Sequence, residues 1–177
     1  MPRVAVEQFL YMMDEAFEVH GEHSLLRSLG SLRQDDWLSV PLGGHRFPRQ
    51  IIGHVGACKY VYDNQAFGDG LMTWADPAGG LGCSIEELQS GPDLAEREPA
   101  MPAVIDWLGA GHRLIREHVA LLDDTELLKP RRRPEGEMKE TRWLTAVMIE
   151  HDLYHAGEIS HLRALKHGDD RWAWDIG

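Results

Sequence analysis

Cysteine is scarce in this sequence. Only two cysteines occur among the 177 residues, Cys58 and Cys83, and they form no Cys-x-x-Cys pattern. Small disulfide-stabilised folds and zinc sites built from thiolates both need several closely spaced cysteines. The sequence therefore indicates neither kind of protein, and two reduced thiols agree with a reducing compartment.

Long apolar runs are absent as well. No segment approaches the roughly 18 consecutive apolar residues of a membrane-spanning helix. The first residues, Met-Pro-Arg-Val-Ala-Val-Glu, lack the basic and then apolar layout of a secretion signal. We therefore expect a cytoplasmic protein that does not bind a membrane.

Basic residues are outnumbered by acidic ones. The chain has 18 Lys and Arg residues against 29 Asp and Glu residues, which gives a formal net charge of -11 at pH 7. Nucleic acids and anionic lipids bind basic surfaces, so we expect neither as a partner. The single basic cluster, Arg131-Arg132-Arg133, lies between two prolines and is interpreted as a solvated loop.

No segment alternates polar and apolar residues over the length of a strand. Apolar residues instead recur every three or four positions, which is the period of a helix. The four predicted helices span residues 4–29, 48–66, 102–122 and 139–166. A bend near Gly21 is expected in the first. Four amphipathic helices of this length favour an all-α four-helix bundle in a single domain over residues 1–177.

Loops are predicted where glycine and proline end the helical pattern, at residues 31–47, 71–99 and 129–136. Ser84-Ile85-Glu86-Glu87 resembles a capping box and predicts one short helix inside the longest loop. The tail residues Trp172 and Trp174 are predicted to pack on the helices. The lengths of the connections leave the winding order of the helices open.

Histidine is unusually frequent, with ten in the chain. His151 and His155 are four residues apart in the last predicted helix, so their side chains lie on one face. The apolar residues of this face are Leu144, Val147, Met148, Ile159, Leu162 and Leu165. Two imidazoles buried together lose hydration unless a bound group, usually a metal ion, uses their nitrogens. Core histidines held by hydrogen bonds are the alternative interpretation.

A third histidine, His54, lies on the apolar side of the second predicted helix, one turn before Cys58. Metal sites in helical bundles use side chains that project inward from facing helices, so His54 can meet His151 and His155. Three neutral imidazoles suit a divalent transition metal and leave a position for water or substrate. Zinc is the first expectation, with nickel, iron and manganese as alternatives.

Three other histidines are not predicted to be ligands. His161 follows His155 by six residues, which places it about 120° round the helix. His112 and His118 lie on or beside the apolar face of the third helix, but neither has a second histidine at ligand spacing.

Glu158 also faces inward, because seven residues after His151 places it only about 20° away on the helix. It is a candidate for the hydrogen-bond acceptor of a ligand histidine, for a general base, or for the ion-pair partner of Arg163 or Arg142. A structural role is favoured, and Glu158 is kept as the only candidate catalytic residue.

Two other metal motifs do not match. The zincin motif His-Glu-x-x-His needs a glutamate after the first histidine, where this chain has Asp152. The His151-Asp152 pair resembles the motif of metal-dependent phosphohydrolases of the HD type, but a dipeptide is a weak signal. Neither activity is predicted.

Two segments together resemble the DinB superfamily of metal-dependent helical-bundle proteins. They are Ile52-Gly53-His54-Val55-Gly56 and, later in the chain, Glu150-His151-Asp152-Leu153-Tyr154-His155-Ala156-Gly157-Glu158-Ile159. The resemblance implies a four-helix bundle with up-down-down-up winding, a homodimer, and a metal site formed by His54, His151 and His155.

Some members of this superfamily resemble thiol-dependent transferases and isomerases. The resemblance therefore implies a small-molecule substrate and a low-molecular-weight thiol cofactor such as bacillithiol, mycothiol or glutathione. Our leading hypothesis is a metal-dependent S-transferase, or a related transferase or hydrolase. A non-catalytic metal-binding bundle and a plain dimerisation module with packed histidines are the alternative hypotheses.

Overall fold

Six α-helices dominate the part of the chain that the structure describes, which comprises residues 3–76, 81–89 and 100–169 of a computed structural model. In chain order they are α1 Val4–Asp14, α2 Leu25–Gly30, α3 Pro48–Phe67, α4 Ile85–Gln89, α5 Met101–Ala120 and α6 Thr141–His167. Two short strands, β1 Pro130–Arg132 and β2 Met138–Glu140, form the only sheet in these ranges. The prediction of an all-α fold is therefore confirmed.

The helix predicted over residues 4–29, with a bend near Gly21, is interrupted at that bend and forms separate helices. α1 continues into a π-helix, Glu15–Val19, and the chain then turns before α2 begins. Nδ1 of His20 accepts hydrogen bonds from the backbone N–H groups two and three residues further on. The Ser24 hydroxyl then caps α2 by accepting from a backbone N–H of its first turn at 3.4 Å. Such side-chain bonds compete with a continuing helix.

The other three predicted helices are confirmed to within a few residues, as α3, α5 and α6. Pro48 is the first residue of α3, where its missing N–H costs no hydrogen bond. α6 ends at His167, and its C-cap, Gly168, has a φ of 61°, in the left-handed region that glycine adopts without strain.

The predicted capping box at the start of α4 is present. The backbone N–H of Ser84 donates to the Glu87 carboxylate at 2.7 Å, and the N–H of Glu87 donates to the Ser84 hydroxyl at 3.1 Å. These reciprocal bonds satisfy two donors that a helix start would leave without partners. The short helix inside the long predicted loop is therefore confirmed.

The predicted loop at residues 129–136 is instead part of a β-hairpin. β1 and β2 pair in antiparallel register, so α6 begins at Thr141 rather than at residue 139. Arg131 is half-buried, and its guanidinium carbon lies 4.5 Å from the centre of the Phe67 ring at the end of α3. The basic cluster is therefore not a solvated loop. Strands of three residues are too short to show a readable alternation.

α3 and α5 pack closely because each carries a glycine at their contact. A Cβ on Gly56 would lie 2.1 Å from the Trp107 ring, and a Cβ on Gly111 would lie 2.9 Å from the Tyr60 ring. No side chain fits at such distances, so glycine permits this approach of the two backbones. The close packing fixes the position of α3, the helix that carries His54.

α3 also contacts α4 and α6, and α6 further contacts α1 and α2. Along residues 3–76, 81–89 and 100–169, no helix has both the length and the apolar character needed to cross a membrane. The up-down-down-up winding remains a prediction. Trp172 and Trp174 lie outside the described residues, as do two parts of the long loop, 77–80 and 90–99.

Candidate metal centre

Three histidines converge where α3 faces α6. His54 lies on α3, and His151 and His155 lie four residues apart on α6. Nε2 of His151 lies 3.1 Å from Nε2 of His54 and 3.1 Å from Nε2 of His155. One nitrogen from each ring lies within 4.8 Å of the other two. The structure therefore brings together all three residues for which the sequence predicts metal binding.

The spacing of these nitrogens fits a divalent transition metal. Imidazole nitrogens bind zinc at about 2.0–2.1 Å, so nitrogens 3.1 Å apart would subtend an angle of about 95–102° at the ion. This angle lies between the octahedral value of about 90° and the tetrahedral value of about 109°. Three histidine ligands also leave coordination space for water or a substrate.

Burial keeps the three imidazoles neutral. Burial, reinforced by the neighbouring histidines, lowers the pKa of His151 to about 3. Burial also lowers the pKa values of His54 and His155 below the ordinary value of 6.5. Neutral rings keep the lone pairs that metal coordination requires, so the site is ready for a cation at neutral pH.

Glu158 orients one of the three rings. Its Oε2 accepts a hydrogen bond from Nδ1–H of His155 at 2.7 Å, so Nε2 of the neutral ring carries no proton. Its Oε1 lies 3.2 Å from Nη1 of Arg46. A carboxylate behind a ligand histidine fixes the tautomer and the orientation of the ring in many metal sites.

The prediction for Glu158 is corrected in one respect. Its arginine partner is Arg46 and not Arg163 or Arg142, and Arg142 instead pairs with Glu140 at 2.6 Å. Helical geometry could not indicate Arg46, because this residue lies in the loop before α3. Both carboxylate oxygens of Glu158 are engaged, which favours the hydrogen-bond acceptor over the general base.

Cys58 lies beside the three histidines without joining them. Its Sγ is 3.8 Å from Nε2 and 3.9 Å from Nδ1 of His54, so it packs against the ring at equal distance from both nitrogens. Burial raises the pKa of this thiol to about 12. A neutral thiol is a poor metal ligand. Cys58 is therefore a packing residue in this arrangement.

Comparison with known protein families identifies the kind of protein that carries this site. The family model of the DinB superfamily matches residues 19–159, a range that includes the three histidines and Glu158. The chain belongs to the DinB superfamily. The resemblance drawn from the two histidine segments is thereby confirmed. A search of curated proteins found no match.

A buried ion pair lies behind the histidines of this DinB protein. Asp152, next to His151, pairs with Lys59 of α3 across the helix contact, and their side chains are 2% and 0% exposed. Lys59 Nζ donates a hydrogen bond to Oδ2 of Asp152 at 2.8 Å. It also lies 2.7 Å from Oδ1, which accepts no hydrogen bond from the described residues. The pair ties α3 to α6 close to the ligands. Sequence analysis missed it, although both residues lie on apolar helix faces.

Three further histidines of the DinB protein do not join the three converging rings. His112 stacks on Phe17 with ring centres 3.9 Å apart, and burial lowers its pKa to about 2. His118 places Nδ1 2.7 Å from the carboxylate of Asp63. His161 is exposed on α6, away from the three converging rings.

A second group with ligand-type atoms, His20, Glu22 and His23, lies on the turn before α2. Glu22 and His23 are exposed. Nδ1 of His20 already accepts two backbone hydrogen bonds that form the turn. These contacts give the group a structural role in the fold.

The histidine cluster of the DinB protein borders open space. His54 and His155 line a cavity of about 160 Å³, and His54 also lines a larger cavity of about 630 Å³. The larger volume is within the usual range of small-molecule sites, about 300–1,000 Å³. A small substrate can therefore approach the side of the cluster that the protein leaves uncovered.

Proposed function

We propose that this DinB protein is a cytoplasmic metal-dependent enzyme that transfers a low-molecular-weight thiol to a small electrophile. S-transfer is the specific reaction, and related small-molecule transfer or hydrolysis is the broader class. One observation carries the proposal, namely the convergence of three neutral imidazole nitrogens beside a cavity. Structural zinc sites are usually closed by four protein ligands, whereas three converge among the described residues.

His54, His151 and His155 would hold the ion. Neutral imidazoles suit zinc best, and nickel, iron and manganese are the alternatives. When bound, the ion supplies a Lewis acid that lowers the pKa of a coordinated thiol or water. The donor set fits this role because it is neutral and part-buried and leaves space for a further ligand.

The chain's own residues orient the reactants. Glu158 holds His155 in the tautomer that presents Nε2. Arg46 lines the smaller cavity, and its positive charge attracts an anionic thiolate or substrate group. In the transfer step, the thiol proton leaves to solvent, the sulfur bonds to the electrophilic carbon, and the leaving group departs with the electron pair of the broken bond.

Metal analysis of untagged protein tests the site. We expect near-stoichiometric transition metal in the wild type and loss of the metal in His155→Ala. His161→Ala is the matched control, because His161 is an exposed histidine on the same helix, and it should keep the metal. A wild-type protein without metal, both as purified and after reconstitution, would contradict the proposal.

Turnover tests the reaction. We expect metal-dependent conjugation of chlorodinitrobenzene or monobromobimane with bacillithiol, mycothiol or glutathione, faster than the uncatalysed rate. His155→Ala should lose this activity and His161→Ala should keep it. Large stabilisation by metal with no turnover on any thiol and electrophile pair would instead favour the non-catalytic metal-binding bundle.

We also propose an up-down-down-up four-helix bundle that forms a homodimer. The contacts of α3 with α5 and α6, and of α6 with α1 and α2, support the bundle. Tyr154 and Leu165 on α6 are 67% and 52% exposed, which supports a face covered by a second copy. Light scattering on the eluting protein measures the mass, and a monomer at every concentration would refute the dimer.

A further inference from the structure

Two cavities beside the metal centre share a wall. Both are lined by Gln50 and His54 of α3 and by Gln89 of α4. The smaller cavity also reaches His155, whereas the larger one extends to Trp74. The two cavities lie side by side along α3 and α4, from the histidine cluster to Trp74, and are together called the α3–α4 cleft below.

The side chain of Gln50 lines the cleft, but its oxygen is turned away from the open space. The side-chain oxygen of Gln50 is buried and accepts no hydrogen bond from the residues that the structure describes. A buried carbonyl oxygen without a donor is unfavourable. Because the Gln50 side chain lines both cavities, rotation of its terminal amide presents this oxygen to a donor on a bound molecule.

The far end of the cleft is mostly apolar, and Glu86 is the charged residue that lines it. Trp74 is 41% exposed despite its size, and Ala75 and Ile85 line the same cavity. An exposed indole face attracts flat apolar groups through burial of area and ring stacking. This end of the cleft therefore suits an aromatic ring, whereas the Gln50 position suits a polar group nearer the histidines.

We propose that the α3–α4 cleft binds an aromatic small molecule that carries an N–H or O–H donor, with its ring on Trp74 and its donor on the Gln50 oxygen. This inference rests on the proposed function and deepens it, because it names the chemical class of the electrophilic substrate. The reactive end of such a molecule lies toward His54, at the end of the cleft where the metal ligands converge.

Ligand-observed NMR titrations with two probes test the inference on the full chain. Benzamide has the ring and an N–H donor, and methyl benzoate has the ring without a donor. We expect benzamide to bind more tightly to the wild type. Gln50→Leu should weaken the affinity for benzamide about threefold to tenfold and leave the affinity for methyl benzoate unchanged. Trp74→Ala should weaken the affinity for both probes.

Two control variants distinguish a loss of binding from a defect in folding. Gln50→Glu keeps an acceptor oxygen and should retain the preference for benzamide. Gln8→Leu removes an exposed glutamine of α1 and should bind like the wild type. The inference is overturned if neither probe saturates, or if Gln50→Leu and Gln8→Leu bind benzamide equally well.

The metal-free variant His151→Ala separates this inference from the proposed function. His151 lines neither cavity, so benzamide should bind to this variant with the wild-type preference over methyl benzoate. Benzamide binding by a metal-loaded wild-type protein that has no thiol-transfer activity would support the cleft and refute the reaction. If the protein transfers thiols to non-aromatic electrophiles but does not bind benzamide, the proposed binding in the cleft is refuted and the proposed reaction is not.

Discussion

Replacing Lys59 with methionine removes the partner of a buried carboxylate. The Asp152 side chain is 2% exposed, and the Lys59 ammonium is the cation in contact with it. Removing one member of a buried ion pair typically costs about 3–5 kcal/mol, because the remaining charge stays buried without compensation. For a chain of this length about 2–4 °C are lost per kcal/mol, so Tm should fall by about 6–20 °C.

Thermal unfolding followed by circular dichroism, in the presence of chelator, measures this loss without a contribution from bound metal. Lys139→Met is the matched control, because Lys139 forms an exposed pair with Glu137 at 3.5 Å, and exposed pairs contribute about 0–1 kcal/mol. The double variant Lys59→Met/Asp152→Leu removes both charges and should recover most of the stability.

Two results would refute this reasoning about the buried pair. A Tm for Lys59→Met within 2 °C of the Lys139→Met control, about the change expected for 1 kcal/mol or less, would show that Asp152 does not need its partner. Strictly additive losses in the double variant would show that the two side chains act independently.

Three further predictions concern packing, pH and the carboxylate behind the ligands. Gly56→Ala should lower the free energy of unfolding by about 1–3 kcal/mol in a denaturant titration. Gly157→Ala is the control and should not lower it, because Gly157 has open space around it. Because the folded-state pKa of His112 is about 2, this residue alone should lower the free energy of unfolding by up to about 1.4 kcal/mol for each pH unit below 6.5, and His112→Phe should remove that part of the slope. Glu158→Gln should weaken metal affinity about 10–100-fold in chelator competition, and exposed Glu150→Gln should not.

Periodicity located the three long helices because each has an apolar face that lasts four turns or more. The same spacing argument placed His151 and His155 together, since i and i+4 are neighbours whatever the rest of the fold does. Predicting His54 as the third ligand required further information, either the helix that packs on α3 or the resemblance to a family. A pairing across helices depends on the tertiary structure, which spacing along one helix does not encode.

The features that the sequence did not predict have the same physical origin, because each depends on contacts outside the periodic pattern. Lys59 and Asp152 are charged, so a hydropathy pattern assigns each to solvent unless the partner across the helix contact is known. The break at His20 comes from side-chain bonds to the backbone that compete with an otherwise continuous apolar period. Arg46 reached Glu158 from a loop, where no periodic rule predicts direction.

The division of the histidines between two helices determines how metal binding couples to folding. His151 and His155 stay close in sequence even when the chain is unfolded, so bringing these two rings together closes only a short loop. His54 is 97 positions from His151 and reaches the pair only when α3 packs on α6. An ion bound to all three rings therefore closes a loop of nearly one hundred residues, as a cross-link does. His54 is thus the ligand through which a metal distinguishes the folded chain from the unfolded one.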